Sequence, residues 1–481
     1  MAILSNAHYT MGRSLRWLGV VLGAGLMILF WGAAIAIAEV NAVLLFASLL
    51  ACVFILLDFR VGVVLLIVLM PLSQSALFPH QMAGVTGLNP INVLLAATFV
   101  SYLLRALGDR GLKLFLPPRL FWLYLVPFLF AGVLGSRHVG EIAPSVYFYE
   151  LVEFHDAAGY FRDVVVKPAF LVLFALLVGG AVMRSRDPEK FIVPAMVSIW
   201  AMGLLVVVFV GISGVTLDRL SGGTARQFLS PLGLHANDLG RLYATAYALL
   251  LFTFAATERR ALKLALAASM LLVVCALVLT FSRGAFLGFI MVNGLFIVTR
   301  RDPRGFLFGA VVVSGLLFLL PGTMWDRVTA GLGGDMNAVT AGRTGEIWLP
   351  LLPELWRSPF IGNGLSSILW SDAMRAERIL QVGHAHSAYL QTLLDMGIIG
   401  LVLLLAFFAL LLRDFWRASR DKSLSRTMRG FFEGASVGLL AFLMAGFAGS
   451  TLTPCAEQSF LWLAAGMLYG MRRKHAKRAK T

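Results

Sequence analysis

Two arginines and a pair of histidines, each at the edge of an apolar run, are the residues of this chain best suited to chemistry. Arg283 sits in Thr280-Phe281-Ser282-Arg283-Gly284, a turn joining two apolar stretches. An arginine at membrane depth is expensive, so it pairs with something, binds an anion, or snorkels to the surface as an anchor. Arg343 opens Gly342-Arg343-Thr344-Gly345-Glu346-Ile347-Trp348, which leads on to Pro359-Phe360-Ile361-Gly362-Asn363-Gly364. Leu351, Leu352 and Leu355 recur at helical spacing between Trp348 and Trp356. They predict a short amphipathic helix in the membrane interface, kinked or shortened by Pro350 and Pro353. Such a helix would hold Arg343 over a cavity; an ordinary surface arginine is the alternative. His384 and His386 lie in Gly383-His384-Ala385-His386-Ser387-Ala388 at the start of another apolar run. A histidine of near-neutral pKa can take a proton from a sugar hydroxyl, although capping a helix is an equal use of it. Two residues apart on a helix, the rings would point about 200° from one another. No further ligands stand at zinc-site spacing, and no metal is expected.

Taken together, two arginines and a histidine from three distant segments form a more specific set than any one of them. Guanidinium forks match diphosphate oxygens, and a fixed positive field stabilises charge on a departing phosphate. With a proton acceptor added, the set suits transfer of a group away from a diphosphate carrier.

The elements that must position these residues are membrane helices. Of 481 residues, 59% are hydrophobic and 14% charged, and mean hydropathy is +0.84. That composition excludes an ordinary soluble protein. Apolar runs near or above about 18 residues recur along the chain, long enough to cross a bilayer as helix, whereas a β-barrel would alternate in short strands. The reading is an all-α polytopic helix bundle of about twelve to fourteen spans. They lie near 15–37, 41–57, 61–78, 90–107, 119–135, 168–183, 191–213, 237–256, 261–281, 285–299, 305–321, 387–412, 431–450 and 456–471. Ala36-Ile37-Ala38 resembles a signal-peptide cleavage site, but the preceding run is long enough to be an uncleaved first span. The net charge of +15 comes from short basic clusters between apolar runs, so it predicts membrane anchoring and no nucleic acid. Starting from a cytoplasmic N-terminus, alternate loops collect 28 of the 40 Lys and Arg. Both termini are therefore expected in the cytoplasm, and Arg283, Arg343 and His386 on the opposite face. Loops near 136–167, 214–236 and 322–386 fall on that face. The last is rich in tryptophan and glycine and is expected to be compact, with short helices. Cys52, Cys275 and Cys455 all lie in apolar segments and carry no motif.

At these residues the chain resembles bacterial O-antigen ligases and the related O-antigen and exopolysaccharide polymerases. His386-Ser387, nine residues, Gly397, two residues and Gly400 resembles the family signature. Ser282-Arg283-Gly284 looks like its Ser-Arg-Gly turn, and Arg343, Trp348 and Pro359-x-x-Gly-x-Gly are similar to its large-loop motif. Ser230 to Gly240, with Asn237 before Leu239-Gly240, is similar to the stretch upstream. The resemblance covers roughly residues 215–470. It implies a metal-independent, inverting glycosyltransferase of the bacterial inner membrane, with no cofactor and with its active site facing the periplasm. An undecaprenyl-diphosphate-linked glycan would be the donor, and lipid A–core or a growing glycan the acceptor. By the same resemblance His386 is the base, Arg283 and Arg343 bind the donor diphosphate, and His384, Arg219, Arg226, Arg241 and Asn237 are accessory candidates. The segment between Arg343 and His386 is short for a ligase, which favours the polymerase alternative.

The expected organisation is an N-terminal helical region (1–213), a ligase-like region (214–471) containing the loop 322–386, and a basic cytoplasmic tail (472–481). A lipid-linked glycan flippase or another transporter is the competing class. It would place ionisable residues deep in the spans and break helices in paired halves; here the charges concentrate at span ends and in loops.

Overall fold

The computed structural model describes residues 40–73, 75–78, 81–82, 85–108, 116–214, 228–233, 235–300 and 336–478, with isolated positions at 307, 314, 322 and 329. The expected spans 15–37 and 305–321, and the candidates Arg219 and Arg226, lie outside the described residues. Among the described residues, nine helices are long and apolar enough to cross a membrane. They are α3 (Pro90–Gly108), α4 (Pro118–Ser136), α5 (Ala157–Arg184), α6 (Pro188–Ile212), α7 (Ala236–Ala256), α8 (Arg260–Leu279), α9 (Arg283–Arg300), α11 (Ala388–Arg420) and α12 (Arg426–Ala445). Two shorter apolar helices, α1 (Val40–Leu57) and α2 (Phe59–Leu69), precede them. A segment α10 at 344–356 lies in the long loop, and α13 (Ser459–Arg478) ends the chain, apolar to Met471 and basic from Arg472. The only β-structure among the described residues is one antiparallel two-residue ladder, Gln81–Met82 with Val85–Thr86. The chain is thus an all-α, multi-pass membrane protein.

Two compact units divide the chain. The first comprises residues up to Gly62 together with Phe78–Ser101; there the Ser101 hydroxyl donates to the Ile55 carbonyl at 2.7 Å. The second, Val63–Leu77 with Tyr102–Thr481, holds everything that follows. At its centre is α7, the most buried of the nine apolar helices. Gly430, Gly434 and Gly438 of α12 run along it, and a Cβ at Gly434 would stand 2.6 Å from the Ala248 carbonyl oxygen. Between helices in lipid, close backbone approach of this kind supplies the packing that the hydrophobic effect does not. Tyr124 fixes α4 to the same core: its hydroxyl donates to the Leu452 carbonyl at 3.0 Å and its ring meets Phe407 and Trp462 at 4.8 and 5.2 Å.

Prolines that the sequence marks as breaks are absorbed. The helical path widens into a π turn at Phe121–Leu125, Phe161–Val166 and Thr344–Trp348, just ahead of Pro127, Pro168 and Pro350. A proline removes one donor and crowds the carbonyl a turn earlier; the wider turn relieves that clash and lets the helix continue. α5 consequently starts at Ala157, well before the expected 168. Its polar first turns are tolerated because Asp163 pairs with Arg162 at 2.9 Å and with Lys167 at 2.6 Å.

The expected span 387–412 is longer and is broken. Within α11, Gly397 takes φ 63 and ψ −172, a region essentially reserved for glycine. The segment Pro359–Gly364 fills the gap. Its Asn363 and Gly364 amides donate to the carbonyls of Leu394 and Asp395 at 2.8 and 2.9 Å. Its Pro359 and Phe360 carbonyls accept from the Ile398 and Ile399 amides at 2.9 and 3.1 Å. Replacing Gly397 by Ala would set a Cβ 2.3 Å from the Phe360 carbonyl carbon as well as forcing the strained dihedrals. The expected loss is about 3 kcal/mol or more, read as a lowered thermal unfolding midpoint in detergent. Gly294→Ala, on α9 with nothing within 4 Å of the added methyl, should leave the midpoint unchanged or slightly raised.

Candidate functional site

At one end of the second unit, where α7 and α9 begin and α8 and α12 end, lies a cavity of about 250 Å³. Arg283 and Arg343 both line it, together with Asn237, Arg241, Ser282, Thr340 and Trp348. Leu287, Val339 and Phe447, also in its wall, are exposed apolar residues. The cavity is therefore cationic and polar within and apolar at part of its margin.

The α8–α9 turn presents Arg283 through a local lock. Phe281 adopts a left-handed φ of 50, which reverses the chain. The Ser282 hydroxyl donates to the Asn237 side-chain carbonyl at 2.9 Å and accepts from the Ala285 amide at 3.3 Å, capping α9. Gly240 lets α7 approach this turn, since a Cβ there would meet that of Ala285 at 2.5 Å. Asn237 thus belongs to the site by holding the turn that carries Arg283. Arg343 is presented by a comparable device. Ala341 and Gly342 take φ values of 55 and 85, and Asn337 accepts the Gly342 amide on its backbone carbonyl and the Gly345 amide on its side chain, both at 2.8 Å. Arg343 then stands at the N-terminus of α10.

Arg241 is buried, and its charge is already met. Its guanidinium donates to the buried Glu457 carboxylate at 2.6 Å, to Asp238 at 2.7 Å and to the Ser450 hydroxyl at 3.3 Å. With two carboxylates around it, Arg241 adds little net positive charge to the cavity. Glu457 and Asp238 were not legible as site residues. The one available signal for Glu457 was a carboxylate flanked by apolar sequence, which in membrane proteins has a named partner.

The two histidines do not themselves line the cavity; Trp348 connects them to it. The Trp348 ring is part of the wall, and its Nε1 donates to the Ala385 carbonyl at 2.9 Å. The Ala385 amide donates to the Gln391 side-chain oxygen at 2.8 Å, so both polar groups of the residue between the histidines are held by side chains. Gln391 in turn donates to Asp395 at 2.9 Å, and the same carboxylate oxygen accepts from the amide and hydroxyl of Ser367 at 2.9 and 2.8 Å. Held in this way, His386 sits at a left-handed φ of 49 and its ring meets that of His384 at 4.1 Å between centroids. Ser387 caps α11. Gln391 and Asp395 are thus positioning residues that sequence reasoning passed over; their i, i+4 spacing on one helix face was the available signal.

His384 Nδ1 accepts the His386 amide at 3.2 Å, which leaves the proton of the neutral ring on Nε2. Burial pushes its pKa down to about 4; the nearby Arg241, His235 and Arg343 push the same way, against Asp238. At neutral pH His384 is therefore an uncharged donor. Among the described residues, no three His, Cys, Asp or Glu come together as a metal site.

Residues 268–405 match the family model described as O-antigen ligase. The matched stretch contains Arg283, Arg343, both histidines and the Gly397 break, and stops short of Asn237 and Arg241. No curated protein matches the chain. Over that stretch the chain is similar to O-antigen ligases, which supports ligase- or polymerase-type glycan transfer in general terms.

The depressed pKa of His384 has a consequence for stability. Between the ordinary histidine value of 6.5 and about 4, the unfolded chain binds a proton that the folded one refuses. Stability therefore falls as pH drops through this window. His384→Gln should lose less in thermal unfolding midpoint than the unsubstituted chain when pH is lowered from about 7 to 5. Equal losses would show that His384 is not refused its proton. Separately, Gln391→Ala should reduce glycan transfer by roughly tenfold or more through misplacement of the histidine segment. Gln391→Glu, which keeps an acceptor for the Ala385 amide, should recover part of it as pH is lowered and the Glu–Asp395 repulsion is relieved.

Proposed function

We propose that the cavity binds the diphosphate of an undecaprenyl-diphosphate-linked glycan and transfers the glycan to an acceptor hydroxyl, at the periplasmic face of a bacterial inner membrane. The observation that carries this reading is the convergence of Arg283 and Arg343, from separate segments, on one cavity whose Trp348 wall holds the histidine segment. Arg283 and Arg343 bind the diphosphate oxygens and stabilise the charge that grows on them. His386 takes the proton of the acceptor hydroxyl. The acceptor oxygen attacks the anomeric carbon as the bond to the phosphate oxygen breaks. The bonding pair leaves with the carrier diphosphate, and configuration at the anomeric carbon inverts. The donor diphosphate is itself the leaving group, so the step is written with no nucleotide, metal or cofactor. His384, as an uncharged Nε2–H, helps orient the acceptor, and the exposed Leu287 and Phe447 suit passage of the prenyl chain toward lipid.

Orientation rests on charge: the basic clusters alternate from loop to loop, which supports cytoplasmic termini and a cavity on the other face. The acceptor we favour is lipid A–core, as for a ligase. The short segment between Arg343 and His386 favours the second reading, a repeat-unit polymerase adding to a growing glycan.

Arg283→Ala and Arg343→Ala should each lower transfer roughly 10²–10³-fold, and His386→Ala roughly 10²–10⁴-fold, with membrane-extracted protein and unfolding midpoint retained. Cells carrying these variants should accumulate lipid-linked glycan. Unchanged product from all three would overturn the reading. Deletion of the gene separates the two acceptors on one gel: long unattached chains on the carrier for a ligase, single repeat units for a polymerase.

A further inference from the structure

The end of α11 remote from the histidine segment forms, with α4 and α13, a second cavity that the glycan reaction does not use. It lies beyond the break at Gly397, and from Ile398 to Asp414 alone the helix rises roughly 24 Å. Its volume is about 300 Å³. Phe407, Leu410 and Leu411 form its apolar wall, and Arg119 of α4, Asp414 of α11 and Arg472 of α13 meet at it. Asp414 is buried and takes a nitrogen of Arg119 at 3.3 Å and of Arg472 at 2.5 Å, with Arg413 at 3.8 Å from its other oxygen. All three guanidinium groups are about half exposed, at 54, 44 and 43%.

One buried carboxylate needs one guanidinium. Three around Asp414 leave an excess of two positive charges next to an apolar pocket at the end of a membrane span. Arg119 and Arg472 each give Asp414 a single nitrogen, so the planar forks retain donors for a second anion. A free anion would match the charge but not the walls, and a neutral lipid the walls but not the charge. We propose that this cavity is a binding site for an anionic phospholipid, its phosphate on Arg119 and Arg472 and its acyl chain against Phe407 and Leu411. Basic pockets between membrane helices recognise such headgroups by the same chemistry. Because the three polar groups come from α4, α11 and α13, the bound lipid would tie three helices together and stabilise the bundle.

The test uses the full chain in a neutral detergent, with thermal unfolding and native mass spectrometry read in parallel. Phosphatidylglycerol should raise the unfolding midpoint and remain bound as a discrete adduct. Phosphatidylcholine and inorganic phosphate at the same concentration should do neither. Arg119→Gln with Arg472→Gln should weaken the phosphatidylglycerol response at least tenfold. Leu410→Trp, which fills the pocket and keeps every charge, should weaken it as well and guards against a double variant that folds poorly. An equal response to phosphatidylcholine overturns the proposal. So does a phosphatidylglycerol response that survives both variants. A shift reproduced by inorganic phosphate overturns it in favour of a free-anion site.

Discussion

A helix interrupted within a bilayer frees backbone groups that neither water nor lipid can satisfy, and they must find partners in the protein itself. In α11 the partner is the segment 359–364, whose amides and carbonyls take up those released around Gly397. The junction is backbone to backbone, so it depends on shape rather than on side-chain identity. Gly397 and Gly362 each stand where a methyl group would collide with the other strand's main chain. From this joint the rest of the site can be traced. Asp395 lies one turn from Gln391, Gln391 holds the Ala385 amide, and the Ala385 carbonyl reaches Trp348 and so the helix that starts after Arg343. A change at the joint would be felt first at the histidines and then at the arginine.

Electrostatics organise the site differently on its two sides. Around Arg241 the charges are closed off: one guanidinium, two carboxylates and a hydroxyl satisfy one another in a buried position. Such a cluster holds α7 against the segment before α13 and contributes little attraction to a passing anion. Arg283 and Arg343, by contrast, are partly exposed in the cavity wall, and each is aimed by a turn containing a left-handed residue. Arg241 is thus a buried structural cation, while Arg283 and Arg343 are half-buried residues of the cavity wall.

Much of the fold was legible because length and hydropathy determine what can cross a bilayer. The spans around α7, α8, α9 and α12 sit close to where apolar runs place them. Departures occur where pairing replaces hydrophobicity. The first turns of α5 are charged, and only the contacts among Arg162, Asp163 and Lys167 make them helical at that depth. Hydropathy did not show the break in α11, although the signature singled out Gly397, because a glycine in an apolar run is ordinarily tolerated. Of the site, Arg283, Arg343, Asn237 and the histidines could be named from motif order and spacing. Their connections could not: Glu457 is 216 residues from Arg241, and the role of Gln391 depends on a peptide held in place by a tryptophan 37 residues from it.

The distance between Arg241 and Glu457 has a meaning for biogenesis. Helices enter the membrane in order, and α7 carries its arginine in long before Glu457, its buried second carboxylate, has been made. Until then Arg241 has only Asp238, three residues away on its own helix, as a nearby counter-charge. The nascent bundle must therefore stay open enough to shelter this charge with water or with the insertion machinery. Its closure awaits the last hairpin. A chain stalled before residue 457 would be membrane-inserted and largely helical, with Arg241 paired to Asp238 but its Nε donor, which Glu457 takes in the finished protein, still unfilled.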